Sequence, residues 1–172
     1  LMKKIILNDS NELTNFGVPY IVAEMNTSHF GKIENAKDMI IAANEAGCDC
    51  VKFQSWTTTS LYSKTYYEQN PIAKRFVKGF SFSEEQLLEL SKFCNETGIS
   101  FASTPYSNQE VDFLVNECNV PFLKVASMDL TNHKFLDYMG RKGIPLILST
   151  GMGDMSEIRE AIKVLEKTGN KD

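Results

Sequence analysis

The sequence lacks the features that most readily identify a membrane protein, a nucleic-acid-binding protein or a dithiol redox protein. None of its apolar runs approaches the roughly 20 residues of a membrane-spanning helix. A net charge of −4 over 172 residues provides no basic surface for nucleic acid or an anionic membrane. The four cysteines form no CxxC pair, so we interpret them as small buried side chains in a reducing cytoplasm. We therefore expect a cytoplasmic globular protein without a nucleic-acid or membrane partner.

A glycine-rich phosphate-binding loop is also missing. The first loop after a predicted buried strand reads NTSHFG at residues 26–31, which is neither GxGxxG nor a Walker sequence. Flavodoxin-like folds, which have five parallel strands, bind phosphate mainly through a glycine-rich first loop. The sequence of this loop therefore disfavours a flavodoxin-like fold.

What the sequence does contain is a fivefold alternation of strand and helix patterns. Short apolar runs predict strands at residues 18–24, 48–54, 99–103, 120–125 and 144–149, and residues with helical spacing follow each of them. A short hairpin is predicted to begin at residues 3–8. This order of elements requires right-handed crossovers and a parallel sheet. Residues 56–82 are polar and aromatic, and we predict an irregular but ordered lid or packing surface there.

Polar side chains stand in or just after every predicted strand. Lysine is rarely buried without a partner, yet Lys52 lies in a buried-type strand. Corresponding positions in the other strands hold Glu24, Thr104, Lys124 and Ser149. Polar groups that converge on the carboxyl ends of parallel strands are typical of a (β/α)8 barrel. We therefore predict an α/β fold in which residues 1–172 form about the first five βα units of one TIM-type barrel domain, with the remaining strands beyond them.

Five short motifs carry a resemblance to a known family. They are IVAE at residues 21–24, VKFQ at 51–54, STPY at 103–106, LKVAS at 123–127 and LSTGM at 148–152. In this order and at barrel spacing, they closely resemble the N-terminal part of the sialic acid synthase family, which makes N-acetylneuraminate and related nonulosonates. The resemblance extends from Val18 to the end of the chain. It departs from the family at Ser28, where an asparagine more often precedes His29.

The resemblance implies a fold, a reaction and partners. The family fold is a (β/α)8 barrel, usually followed by a small antifreeze-like domain that completes the other active site of a homodimer. Its members condense phosphoenolpyruvate with the open-chain form of an N-acetylated aminohexose, such as N-acetylmannosamine, and release phosphate. They require a divalent metal, which we expect to be Mn2+ or otherwise Mg2+ or Co2+. The histidines that bind this metal in the family would lie beyond Asp172. We therefore expect no metal ligand in this chain and no activity from residues 1–172 alone.

The resemblance also implies roles for the residues at the strand ends. Lys52 and Lys124 would contact the phosphate or carboxylate of phosphoenolpyruvate, because ammonium groups must balance its roughly three negative charges. The hydroxyl groups that would bind the same substrate belong to Thr104, Ser127 and Ser149. Glu24 and Gln54 would bind the sugar. Glu24 would also be catalytic, together with the two lysines, through proton transfer.

Each of these assignments has an alternative. Glu24 could form an ion pair with one of the two lysines, Thr104 could simply form a turn before Pro105, and Ser149 could cap a helix. A sharper chemical alternative is a Schiff base at either lysine. His29 is expected to be a structural hydrogen-bonding residue and His133 a surface residue, and Asp129 has no firm role.

Two other functions are consistent with the strand-end pattern. One is a different phosphoenolpyruvate-dependent aldol-type synthase, similar to those that make KDO-8-phosphate or DAHP, whose aldose substrates are phosphorylated. The other is a barrel that binds a sugar or an anion without catalysing a reaction. The identity of the sugar stays open, because the loops that would read its substituents are only partly contained in this sequence.

Overall fold

Strands and helices alternate along the chain in the computed structural model, which describes residues 4–170. The strands are β1 (Lys4–Ile6), β2 (Glu12–Thr14), β3 (Val22–Glu24), β4 (Cys50–Ser55), β5 (Ser100–Pro105), β6 (Leu123–Val125) and β7 (Leu146–Leu148). The helices are α1 (Ile33–Glu45), α2 (Lys64–Gln69), α3 (Pro71–Phe80), α4 (Glu84–Thr97), α5 (Asn108–Asn116), α6 (His133–Gly140) and α7 (Met155–Lys167), and a 3₁₀ turn covers Ser127–Asp129. The predicted α/β class is confirmed.

The strands that follow the hairpin are parallel to one another. β4 lies between β3 and β5, in a register that places Glu24 opposite Lys52 and Gln54 opposite Thr104. β6 pairs with β7 in a second parallel sheet and lies beside β5. The predicted single sheet is therefore two neighbouring parallel sheets in the described part of the chain, and their carboxyl ends point the same way.

The two faces of the β3–β4–β5 sheet are chemically different because side chains alternate along a strand. Val51, Phe53 and Phe101 belong to the main apolar core, which includes the buried residues of α1, α4 and α5. On the opposite face, Cys50 and Ala102 pack at the amino end of the strands. The same face carries Lys52 and Thr104 nearer its carboxyl end, so that this end of the sheet is polar.

The amino-terminal hairpin covers the amino ends of the parallel strands. β1 and β2 pair antiparallel, with Ile5 opposite Leu13. The Asp9 carboxylate that follows β1 accepts hydrogen bonds from the hydroxyls of Tyr20 at 2.6 Å and Ser100 at 2.7 Å. The Asn8 N–H also donates to the carbonyl of Pro121, at 3.1 Å. The hairpin thereby closes the end of the sheet that lies away from the lysines.

The prediction that residues 56–82 are irregular was wrong, because α2 and α3 occupy most of this segment. The Ser63 hydroxyl accepts a hydrogen bond from the Tyr66 N–H and begins α2, and Pro71 stands at the start of α3, where its missing N–H costs no helical hydrogen bond. The buried Val77 packs with Trp56 and Tyr67 in a small cluster of its own. Because most of the other aromatic rings stay exposed, the helical pattern was obscured in the sequence.

The cysteine side chains are largely buried, as the sequence predicted. Cys50, Cys94 and Cys118 are buried and Cys48 is half-buried, and all four are free thiols. Burial raises the pKa of Cys50 and of Cys94 to about 12, which keeps both thiols protonated and unreactive at neutral pH. Within residues 4–170, no helix combines the length and the apolar character needed to cross a membrane.

Candidate active site at the carboxyl ends of the strands

Lys52, on β4, contacts polar side chains on both neighbouring strands. Its side chain is buried, with the whole residue only 8% exposed, and its Nζ forms an ion pair with the Glu24 carboxylate on β3. The same Nζ donates a hydrogen bond to the Thr104 hydroxyl on β5, at 3.2 Å. The register of the three strands produces this contact, since Glu24 lies directly opposite Lys52. The ion pair that the sequence left open for Glu24 is therefore present.

Lys124 forms a second cationic group on β6. Its half-buried Nζ donates to the Val125 carbonyl at 2.7 Å and to the Ser149 hydroxyl just beyond β7. Burial lowers the pKa of Lys124, the positive charge of Lys52 lowers it further, and Glu24 opposes this effect. The two ammonium groups therefore share one electrostatic environment, as expected of a site for an anion with several charges.

Two of the predicted residues lie at the edge of this arrangement. The Ser127 hydroxyl contacts the sulfur of Met152, a residue of the loop that precedes α7, at 3.8 Å. Gln54 is half-buried and lines an aromatic cleft beside the strand ends. The structure therefore brings Glu24, Lys52 and Thr104 into one network and Lys124 and Ser149 into another, with Ser127 and Gln54 at the flanks.

Sequence reasoning gave no role to two groups that are close to these networks. The buried Asp129 accepts a hydrogen bond from the Asn132 amide at 3.1 Å, while its Oδ2 has no hydrogen-bond partner among the described residues. Burial raises the pKa of Asp129. Burial also raises the pKa of Tyr106, and the negative charges of Asp129 and Glu24 add to that rise. The only signal in the sequence was that Tyr106 directly follows β5 and that Asp129 lies in the segment after β6.

The two histidines are structural or exposed residues, as predicted. His29 is buried and stacks on Phe82 with ring centroids 4.2 Å apart. Its Nδ1 accepts a hydrogen bond from the Gly31 N–H, and burial lowers its pKa, so the ring is neutral. His133 is exposed at the first residue of α6. Neither imidazole points to a role in the chemistry.

The described residues do not fit a divalent-metal site on their own. Metal sites need several His, Cys, Asp or Glu ligands in one place. Within residues 4–170, no group of three or more such side chains could hold an ion. Glu24, the carboxylate nearest the centre, is already paired with Lys52.

Comparison with known proteins identifies the relatives of this chain. A diacetyllegionaminic acid synthase of Legionella pneumophila is 36% identical, over 86% of this chain and 44% of that protein. An uncharacterized protein of Methanocaldococcus jannaschii is 41% identical, over 99% of this chain and 49% of that protein. A crystal structure of a sialic acid synthetase from Leptospira borgpetersenii in complex with citrate superposes with a TM-score of 0.88 at 27% identity, over 98% of this chain and 57% of that one. The chain spans about half the length of the curated relatives it matches.

The family model that matches covers most of the chain. It is that of the NeuB family, and it matches residues 39–172, which include four of the five motifs at the strand ends. The parallel strands and the relatives agree with this match. The chain belongs to the NeuB family.

Proposed function

We propose that the protein containing this chain condenses phosphoenolpyruvate with the open-chain form of an N-acetylated aminohexose, giving a sialic acid-type nonulosonate and phosphate. The observation that carries the proposal is the pair of lysines, Lys52 and Lys124, each beside a hydroxyl at the carboxyl ends of parallel strands. Two cations and several hydroxyl donors at the strand ends suit a substrate with a phosphate and a carboxylate. The names of the relatives favour this synthase over one that uses a phosphorylated aldose of the KDO or DAHP type.

The reaction would form a carbon–carbon bond and a carbon–oxygen bond to water, and it would break the carbon–oxygen bond to phosphate. Carbon 3 of phosphoenolpyruvate attacks the aldehyde carbon, whose oxygen gains a proton. Water adds at carbon 2 and gives up its two protons as the keto group forms, one of them replacing the proton taken up by the aldehyde oxygen, and phosphate leaves with the bridging oxygen and the other proton. Lys52 and Lys124 would bind the anionic groups, and Thr104 and Ser149 would donate hydrogen bonds to them. Ser127 would supply a third hydroxyl donor after its side chain rotates away from Met152.

In the acid–base step, the acting group would be the Glu24 carboxylate after its release from Lys52. When an anionic substrate binds Lys52, the ammonium can exchange the Glu24 carboxylate for the substrate. Once the sugar excludes water from the site, the charged form of the freed carboxylate is less well solvated, so that it can exchange a proton with the sugar. Gln54, on the same face of β4 and further toward the carboxyl end, would donate a hydrogen bond to the sugar or accept one from it.

The proposal extends to a divalent metal, a homodimer and a cytoplasmic location, all by resemblance to the family. Mn2+, Mg2+ or Co2+ would supply Lewis-acid activation of the aldehyde, through ligands outside the described residues. We also propose that residues 1–172 alone are inactive, because the relatives are about twice as long and residues 4–170 offer no set of metal ligands. Metal-dependent turnover by residues 1–172 would disprove this.

The experiment that tests the proposal is phosphate release from phosphoenolpyruvate by the product of the complete gene. Release should depend on N-acetylmannosamine or a related aminohexose and should disappear with a chelator. If no aminohexose that is tested supports phosphate release, the synthase is ruled out and a sugar- or anion-binding barrel is the better account. A Schiff base at Lys52 or Lys124 would be revealed by borohydride trapping of a keto acid, and absence of trapping would support the electrostatic role.

A further inference from the structure

A second cavity lies on the helix side of the sheet, away from Lys52. Its lining comes from the end of β4 and the loop after it, the start of α4 and the start of α5. Ser55, which belongs to this lining, lies three residues after Lys52 and therefore on the opposite face of β4. The volume of the cavity is about 280 Å³, slightly below the range of drug-sized sites, so it suits a smaller molecule.

Glu110 is the group in this cavity that lacks a partner. Its side chain lines the cavity, and only 8% of the residue is exposed. One carboxylate oxygen, Oε2, accepts a hydrogen bond from the Tyr106 N–H at 2.7 Å. The other, Oε1, has no hydrogen-bond partner among the described residues. A buried acceptor without a donor is costly, so Oε1 favours a ligand that supplies a donor.

The helix that carries Glu110 does not use this oxygen. Ser107 caps α5, since its hydroxyl accepts a hydrogen bond from the Glu110 N–H at 3.3 Å. In a complete capping box, the side chain of the third helical residue accepts a hydrogen bond from the N–H of the cap, as Gln86 does from Ser83 at the start of α4. Glu110 bonds instead to Tyr106, which lies before the helix. Its Oε1 is therefore left for the cavity.

The polar part of the lining is acidic. Glu84 contributes a second, exposed carboxylate, which accepts a hydrogen bond from the Gln109 amide at 3.1 Å. Among the described residues that line the cavity, none is a lysine, an arginine or a histidine. Burial raises the pKa of Glu110, whereas the Ser60 and Ser107 hydroxyls lower it by favouring the charged form. A positively charged donor would favour that form further.

The rest of the lining is largely apolar. Trp56, Phe82 and Leu87 are buried and Phe113 is half-buried, and all four line the same cavity. A hydrated metal ion needs several oxygen ligands and would leave these walls in contact with water. An organic ammonium can direct its N–H groups to the carboxylate and its carbon stem to the apolar side chains, and aromatic rings also attract a cation. The mixed lining therefore favours an organic cation over a metal ion.

We propose that this cavity is a binding site for a small primary alkylammonium, whose nitrogen donates a hydrogen bond to Glu110 Oε1 and whose carbon stem packs on the apolar walls. Ser83 and Gln109, which are exposed members of the lining, mark the opening through which the ligand enters. The site lies on the face of the sheet opposite the lysines, so it is distinct from the strand ends that would bind phosphoenolpyruvate.

The test is isothermal titration calorimetry of the product of the complete gene with n-butylammonium, and with 1-butanol as a neutral molecule that has the same stem. We expect one amine to bind per chain and the alcohol to give no measurable binding. E110Q keeps an acceptor for the Tyr106 N–H but removes the charge, and it should weaken amine binding by about tenfold or more. The matched control E117Q removes the same charge from an exposed residue at the end of α5 and should leave the affinity unchanged.

A second variant keeps the test decisive if E110Q fails to fold. Gln109 is exposed on α5, so Q109K should fold, and its tethered ammonium should occupy the site and prevent binding of the free amine. Amine binding that persists in Q109K, equal losses of affinity in E110Q and E117Q, or equal binding of the alcohol would each overturn the proposal. Absence of amine binding to the wild type would also overturn it and would leave a cavity that holds only water.

Discussion

A methyl group at position 31 should disturb the packing of the β3–α1 loop on α3. Gly31 has a φ of +70°, and a Cβ added there would lie 2.0 Å from the Gly79 carbonyl oxygen. Real Cβ atoms do not come within 3.0 Å of another heavy atom, so the two backbones would have to separate by about 1 Å. Thr27 and Phe80, on the two sides of this contact, both line the aromatic cleft. G31A should therefore lower the stability of the protein and change the shape of this cleft.

The size of the effect can be estimated from two separate contributions. An L-residue in the left-handed region costs about 1–2 kcal/mol. Forcing two packed backbones apart adds about 1–3 kcal/mol, as for an overpacked core. Gly47 isolates the first contribution, because its φ is +80° and a Cβ there would meet nothing within 4 Å. We therefore expect G31A to reduce the free energy of unfolding by about 1–3 kcal/mol more than G47A does.

The measurement is urea unfolding of the wild type, G31A and G47A, followed by circular dichroism. Equal destabilisation by the two variants would refute the close approach of the loop and α3.

Two further predictions concern charged groups. K52M should lower kcat/KM for phosphate release by about 100-fold or more, because it removes a cation and leaves the Glu24 carboxylate without its partner. The control K37M breaks an ion pair with Glu89 on the surface and should leave kcat/KM unchanged. Steady-state kinetics of both variants checks this, and similar losses would contradict it. Burial raises the pKa of Glu110, so its ionisation opposes folding once the pH exceeds the value of about 4.5 in the unfolded chain. The wild type should therefore lose stability relative to E110Q as the pH rises above about 4.5, and a difference in unfolding free energy that does not change with pH would show that Glu110 is not desolvated.

The polar positions at the strand ends were predictable because they interrupt apolar runs. Lys52 and Lys124 are charged residues in otherwise buried strands, and a parallel sheet brings such positions together whatever the loops do. The partner of Lys52 was not predictable. Whether Glu24 forms an ion pair with Lys52 or remains unpaired depends on the register of β3 and β4. Register is a long-range property that the local sequence does not encode.

The α2–α3 segment shows where the sequence was insufficient. Its helices are held by contacts such as the one between the Trp56 indole and the Val77 carbonyl, whose partners are 21 residues apart. Local propensity is weak there, so tertiary packing decides the structure. The role of Tyr106 was missed for a similar reason, since its significance depends on the neighbouring Asp129 and Glu24 rather than on its own motif.

The contacts of the amino-terminal hairpin set an order for folding. Asp9 bonds to Ser100, and Asn8 bonds to Pro121, so the hairpin has its partners about a hundred residues further along the chain. Closing so long a loop is favourable only after the intervening strands have assembled. We expect the hairpin amides to gain protection from hydrogen exchange after those of β4 and β5 during refolding. The beginning of the chain would thus be the last part of this region to acquire its structure.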